Sequence, residues 1–461
     1  MKKVTVFMVE LDRRALLVRG GLASGLAATG AIIAGCSGPN AADTDVAATD
    51  TAAGAAAERT GASESNAEAQ AVSDHVLDDA MVPFDGDHQA GITANSHAVL
   101  NLLGFNLKDS VGKREFTNLM RLWTADARDL CTAETPAGSL EPEMVDTPAN
   151  LTITCGIGER VFNVIGAPEL RPEWLRDVEA FDRDKLSPEW GQTDIVLQIC
   201  CDDAVTAGHA MRHMIRAGQD YAQVAWLQQG FGHAYASGGK EKTMRNHFGQ
   251  LDGTVNPRSD EEMDQQVWID EGPEWAQGGT SMVVRRIRMN LDTWEKLDRS
   301  SRENSIGRKL DNGAPLTGED EFDDPDFEAV DKYGLPTIDR NSHVARAQAP
   351  EGQPAQHMLR RAFNYDMQPD YAPISETGFQ REDEEISGTP VQLSNSGLIF
   401  ICFQKDMTKV FEPMQRRMDE VDLLNEWITH IGSAVYFVPP GVHAGATTGT
   451  FWTETLLDAV G

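Results

Sequence analysis

The sequence predicts an α+β chain built from two ferredoxin-like domains, each a β-α-β-β-α-β unit. Apolar runs of strand character alternate with amphipathic helical segments in that order through residues 97–229, and the same order restarts at residue 281. With 461 residues, 41% of them hydrophobic, the chain has enough apolar side chain for two medium-sized cores.

In the first unit, residues 97–107 (HAVLNLLGFNL) read as a strand, and Lys108-Asp109-Ser110 leads from it into an apolar-periodic helix around 116–127. The strand 151–155 (LTITC) follows. Residues 194–201 (DIVLQICC) form a continuous apolar strand, 204–218 an amphipathic helix and 224–229 a closing strand. The second unit opens with the strand 281–289 (SMVVRRIRM). A helix over 292–304, the strand 397–404 (GLIFICFQ), a helix around 411–418 and the strand 433–438 complete it. Its fourth strand has no counterpart in the pattern. Between its first helix and its next clear strand lies an insertion, 306–396, rich in Gly, Pro, Asp and Asn. Structureless stretches of that length inside a compact domain usually serve function. The change from one unit to the next is placed near residue 255, giving domains 81–255 and 256–461.

Residues 1–35 are expected to be a leader outside the fold. Lys2, Lys3, Arg13, Arg14 and Arg19 outnumber Glu10 and Asp12, and the uncharged stretch 20–35 is too short and too glycine-interrupted to span a bilayer. The string Asp12-Arg13-Arg14-Ala15-Leu16-Leu17 resembles a twin-arginine export signal. Ile33-Ala34-Gly35-Cys36 resembles a lipobox with Cys36 as the lipidated residue. Export in the folded state, periplasmic or cell-surface placement and a lipid anchor at Cys36 follow as expectations. Such export suits proteins that take up a cofactor before crossing, which points to a bound redox centre. Residues 36–80 carry almost no large apolar side chain, cannot offset the entropy of folding, and are expected to form a disordered acidic tether. Beyond Cys36 the cysteines are Cys131, Cys155, Cys200, Cys201 and Cys402, an odd set with two adjacent, so buried free thiols are expected rather than a disulfide framework.

Acidic residues outnumber basic ones 72 to 40, a formal net charge of −32. A surplus this large repels phosphate backbones and leaves no basic face for anionic lipid. Nucleic acid is excluded as a partner, membrane contact is expected through the anchor only, and small molecules and cations remain.

Separated strings carry the candidate chemistry. Residues 249–253 (GQLDG), followed by Thr254-Val255-Asn256-Pro257, hold Asp252 between glycines, and alone such an acid most often serves a turn. His343 stands in 341–346 (NSHVAR), and 359–363 (LRRAF) brings Arg360 and Arg361. His209 and His213, spaced i,i+4 after Cys200 and Cys201, offer a possible zinc or copper site, although Met211 and Met214 beside them read as packing surface. By residue type alone, His430, His357, His247 and His233 are further ligand candidates.

Taken in order, these strings resemble the dye-decolourising peroxidases, and within them the twin-arginine-exported branch associated with bacterial iron uptake. The resemblance spans about 88–461. It rests on 249–253, Trp268, Gly278-Gly279-Thr280 leading into 283–288 (VVRRIR), the string around His343, and Met358-Leu359-Arg360-Arg361. Residues 424–428 (LNEWI), leading to Gly432-Ser433-Ala434 and Pro439-Pro440-Gly441, complete it. Ala362 departs from the pattern, where the family's string carries a glycine.

The resemblance implies an oxidoreductase with haem b held mainly in the C-terminal half. It would reduce hydrogen peroxide and oxidise an organic, dye-like or metal donor one electron at a time. It implies His343 as the axial iron ligand, Asp252 as the distal proton shuttle and Arg360 as the distal arginine, with Arg361 as a structural neighbour. A carboxylate there moves a proton between the peroxide oxygens, and a guanidinium stabilises charge as their bond breaks. An axial histidine normally donates its second ring N–H to a carboxylate, which raises its basicity toward the metal. Glu426 is the first candidate for that partner and Asp422 the second. One or two of the nine Trp and six Tyr could relay an oxidising equivalent to bulky donors. A second reading makes the chain a haem or ferrous-iron handling partner of a membrane iron transporter.

Overall fold

The structure, a computed structural model, describes residues 77, 79–233, 243–350, 352, 356–368 and 394–461. The leader, Cys36 and the tether through residue 76 lie outside the described residues; at the end of the tether Leu77 packs on the core, and the carbonyls of Leu77 and Ala80 accept from the N–H groups of Ala149 and Asn150.

In the first half, β1 (Val99–Leu107) is followed by α1 (Lys113–Cys131), β2 (Thr152–Ile157), β3 (Ile195–Cys201), α2 (Ala204–Gly218) and β4 (Ala222–Phe231). The apolar period of α1 buries Phe116, Leu119, Met120, Trp123, Ala127 and Leu130, and each fully buried Leu or Phe contributes roughly 1.5–3 kcal/mol. Asp203 caps α2 by accepting from the Thr206 N–H at 2.8 Å, and the Trp123 indole N–H donates to the Met214 carbonyl at 2.9 Å, locking the two helices together. Alternation along β1 sends Leu103, Phe105 and Leu107 under these helices and Leu100, Leu102 and Gly104 to the opposite face. The Trp226 ring lies over Gly104, where a Cβ would fall 2.3 Å from its Cε2.

The second half carries a small hairpin, β5 (Met244–Arg245) with β6 (Leu251–Asp252), then β7 (Thr280–Met289) and α3 (Arg299–Ile306). Next come α4 (His343–Ala347), β8 (Leu359–Arg360), β9 (Phe363–Met367), β10 (Asn395–Gln404), α5 (Phe411–Val421) and β11 (Ile428–Val438). The expected single helix over 292–304 is instead two pieces, Leu291–Trp294 and α3, because Asp298 accepts from the Ser301 N–H at 2.9 Å and starts a new helix there. The strand missing from the sequence pattern is β9.

All pairings are antiparallel, in the order β7-β11-β2-β3-β1-β4-β9-β10-β8. Within it the first half reads β4-β1-β3-β2 and the second β11-β7-β10-β9, the same fourth-first-third-second order twice, which is the two-domain ferredoxin-like arrangement. Since β10 also pairs with β7, the strands close into a barrel. Its two seams are single pairs, Phe437↔Ile157 and Phe231↔Asn364. Leu100, Leu102, Val196, Trp226, Val284, Tyr365, Ile399 and Tyr436 belong to one interior cluster.

The five described cysteines are buried and free. His213 and His209 are buried as well. His213 Nε2 lies 2.9 Å from Asp126 and its Nδ1 faces Arg216, so both ring nitrogens are taken. Among the described residues, no three His, Cys, Asp or Glu side chains form a group able to hold a metal ion, and no helix is long and apolar enough to cross a membrane.

Candidate active site

Three loops at the outer face of the second-half sheet bring the candidate residues together. The β5–β6 hairpin ends on Asp252, paired across from Met244. The Asn246 side chain accepts from the Phe248 N–H at 3.0 Å, and its amide lies 3.4 Å from Asp252 Oδ2. Thus the turn that makes the hairpin also steadies the carboxylate.

The insertion leaves α3 through Gly307, whose φ of +92° ends the helix in the left-handed region, with its N–H donating to the Glu303 carbonyl at 2.7 Å. A Cβ on Gly307 would lie 2.5 Å from Val344 Cγ2. The glycine therefore lets α4 seat against the end of α3, and His343 is the first residue of α4.

His343 Nδ1 lies 2.7 Å from Asp422 Oδ2. The carboxylate is the acceptor, so Nδ1 carries the proton and Nε2 keeps the lone pair that can hold a metal. Asp422 Oδ1 accepts from the Leu424 N–H at 2.8 Å, which fixes the carboxylate from its other side. Burial opposes a charged imidazolium, but the charge and hydrogen bond of Asp422 outweigh it, and the His343 pKa lies above its ordinary value. Asp422, not Glu426, is therefore the partner of this histidine. The turn Leu423–Glu426 carries Glu426 to its exposed end, while the Asp422 side chain has no exposed surface.

Arg360 Nη2 stands 3.6 Å from Asp252 Oδ1, and its Nε is buried without a hydrogen-bond partner. Arg360 and Asp252 both lie near enough to His343 for their charges to act on it, the first lowering and the second raising its pKa. Phe248, Ile287, Met289, Leu398 and Leu424 line the adjoining apolar cluster, with Val344, Ala362 and Phe400 packed on it. Arg361 turns away. Its guanidinium donates to the carbonyls of Ala94 and, at 2.9 Å, Asn95, and to His97 Nδ1 at 2.6 Å.

The other histidines stand elsewhere. His357 and His233 are exposed, and His247 Nε2 lies 3.1 Å from the Tyr365 carbonyl. His430 is buried 3.8 Å from Asp184, its pKa pushed well down by burial and then by Arg285 and His343. Two open clefts of about 320 and 400 Å³ on the first half share Glu159 and Arg160, and neither is lined by a candidate residue. Asn256, which sequence reasoning passed over although it follows Asp252 by four residues, bonds the backbone of Arg360.

A buried carboxylate fixing one imidazole nitrogen, the other nitrogen left for iron, an apolar wall and an arginine–aspartate pair are the donor set of a haem peroxidase. The sequence models of two domains match the chain: "Dyp-type peroxidase, N-terminal" over 89–232 and "Dyp-type peroxidase, C-terminal" over 243–443. A dye-decolorizing peroxidase of Thermobifida fusca is 34% identical over 372 residues, covering 76% of this chain and 80% of that protein. A deferrochelatase of Escherichia coli is 31% identical over 380 residues, covering 78% and 84%. The crystal structure of a DyP-type peroxidase from Cellulomonas bogoriensis superimposes with a TM-score of 0.75 at 40% identity, covering 83% of this chain and 99% of that one. The chain belongs to the Dyp-type peroxidase family, as a haem-dependent enzyme that uses hydrogen peroxide and a reducing substrate.

Proposed function

We propose that this chain is a haem b peroxidase whose own working groups are His343, Asp422, Asp252 and Arg360, and that it oxidises organic, dye-like or metal donors one electron at a time. The observation that carries the reading is the Asp252–Arg360 pair at 3.6 Å, both charges acting on a histidine already fixed by a buried carboxylate. Haem bound there would supply the redox chemistry, two-electron with peroxide and one-electron with the donor. Asp252 accepts the proton from one peroxide oxygen and delivers it to the other. Arg360 stabilises negative charge on the departing oxygen. His343 would hold the cofactor through Nε2, and Asp422 fixes the tautomer and ring plane of the imidazole.

Asp252→Asn and Arg360→Leu should each slow the reaction of the haem-loaded protein with peroxide by about 10²-fold to 10⁴-fold. Stopped-flow absorbance measures this, and parent-like rates in both variants would remove the pair from the mechanism.

We also infer export through the twin-arginine leader and anchoring at Cys36, supported by the strings at 12–17 and 33–36. Cys36→Ser should move the protein from the membrane fraction to the soluble one, and unchanged partitioning would count against the lipobox. The relative named deferrochelatase supports a second reading, work beside a membrane iron transporter. A haem-loaded protein that turns over no donor, in a strain whose deletion impairs growth on scarce iron, would favour it.

A further inference from the structure

We propose that Asn256 is a positioning residue that sets the spacing of Asp252 and Arg360 by standing in for a missing β-strand. The proposal rests on the reading of those two residues as the working pair. β8 is only two residues long and is paired with β10 alone, Cys402↔Arg360 and Phe403↔Leu359. On that ladder the next residue, Arg361, donates its N–H to the Ile401 carbonyl at 2.8 Å. Antiparallel alternation then turns the N–H and C=O of Arg360 away from β10, toward a side where, among the described residues, no strand pairs with β8.

Asn256 meets both groups. Its Oδ1 accepts from the Arg360 N–H at 3.0 Å, and its Nδ2 donates to the Arg360 carbonyl at 2.7 Å. A primary amide presents one acceptor and one donor at the spacing of a peptide group, so it closes the same two bonds a neighbouring strand would. The backbone of Asn256 is tied to the loop of the aspartate, its N–H donating to the Gly253 carbonyl at 3.0 Å. One turn therefore carries Asp252 and grips Arg360. The resulting gap of 3.6 Å matters chemically. A closer approach would let the two charges collapse into a bidentate ion pair, and a wider one would leave neither within reach of a shared peroxide.

The test uses the full, haem-loaded chain. Asn256→Ala removes both bonds, and Asn256→Asp keeps the shape but sets a carboxylate oxygen against the Arg360 carbonyl. Each should slow the reaction with peroxide by about 10-fold to 100-fold. Fluoride affinity of the ferric protein should fall in parallel, because a bound fluoride accepts hydrogen bonds from the same distal groups. Haem content and Soret position should stay at parent values, since the His343 side is untouched. Added to Arg360→Leu, Asn256→Ala should cause less than about a twofold further loss, because its effect runs through Arg360. Parent-like rates in both Asn256 variants, full additional slowing in the Arg360→Leu background, or haem loss from both variants would each overturn the proposal while leaving the pair's role intact. Parent-like rates in Asp252→Asn and Arg360→Leu would overturn the reading of the pair and this proposal with it.

Discussion

Asp422 divides its two oxygens between tasks, one capping the turn at Leu424 and the other orienting His343. Asp422→Asn should retain an acceptor for the imidazole but lose the charge, lowering haem affinity by about 10-fold to 100-fold, whereas Glu426→Gln should leave affinity at the parent value. Haem titration of the apoprotein measures both. The distinction was not legible in the sequence, because both acids lie within one short string and the direction of a single 3₁₀ turn decides which is buried. His343, Asp252 and Arg360 were legible only as separated strings in a family's order. Nothing local to any of them says that the three groups meet, because Asp252 stands about ninety residues before His343 and more than a hundred before Arg360.

At the scale of elements, the join between α3 and α4 is the point most exposed to a single change. Gly307→Ala forces a left-handed alanine, which costs roughly 1–2 kcal/mol, and also drives its methyl into Val344. A lower melting temperature and a reduced haem content should appear together, since the clash displaces the helix that begins with His343. Thermal unfolding followed both in the far-ultraviolet and at the Soret band checks this. The regular elements that were read correctly are long and periodic, such as α2 over Ala204–Gly218. β9 escaped because it is five residues long, lies inside the long irregular insertion, and offers only Phe363 and Tyr365 to the barrel interior. Asn364 between them is buried for a reason no pattern reveals: it bridges to Phe231 in β4, and its amide donates to the Arg245 carbonyl at 2.9 Å.

For the molecule as a whole, acid stability is tied to His97, at a contact between the halves. Its Nε2–H donates to the Asn150 carbonyl at 2.7 Å and its Nδ1 accepts from Arg361. Burial, and then the charge of Arg361, push its pKa from 6.5 down to about 3. Between those values the unfolded chain holds this proton and the folded chain does not, so stability falls as pH falls through that window. His97→Gln keeps a donor and an acceptor without the titration. Urea midpoints at about pH 7 and about pH 5 should therefore drop more for the parent than for the variant. The closed sheet has a further consequence. Strands β1 to β4 carry none of the proposed working groups, yet β4 and β2 sit beside β9 and β11 at the two seams, where an unpaired strand edge would be a template for another chain. The half of the sheet that carries no proposed working group thus shortens the open backbone edge that a second chain could pair with.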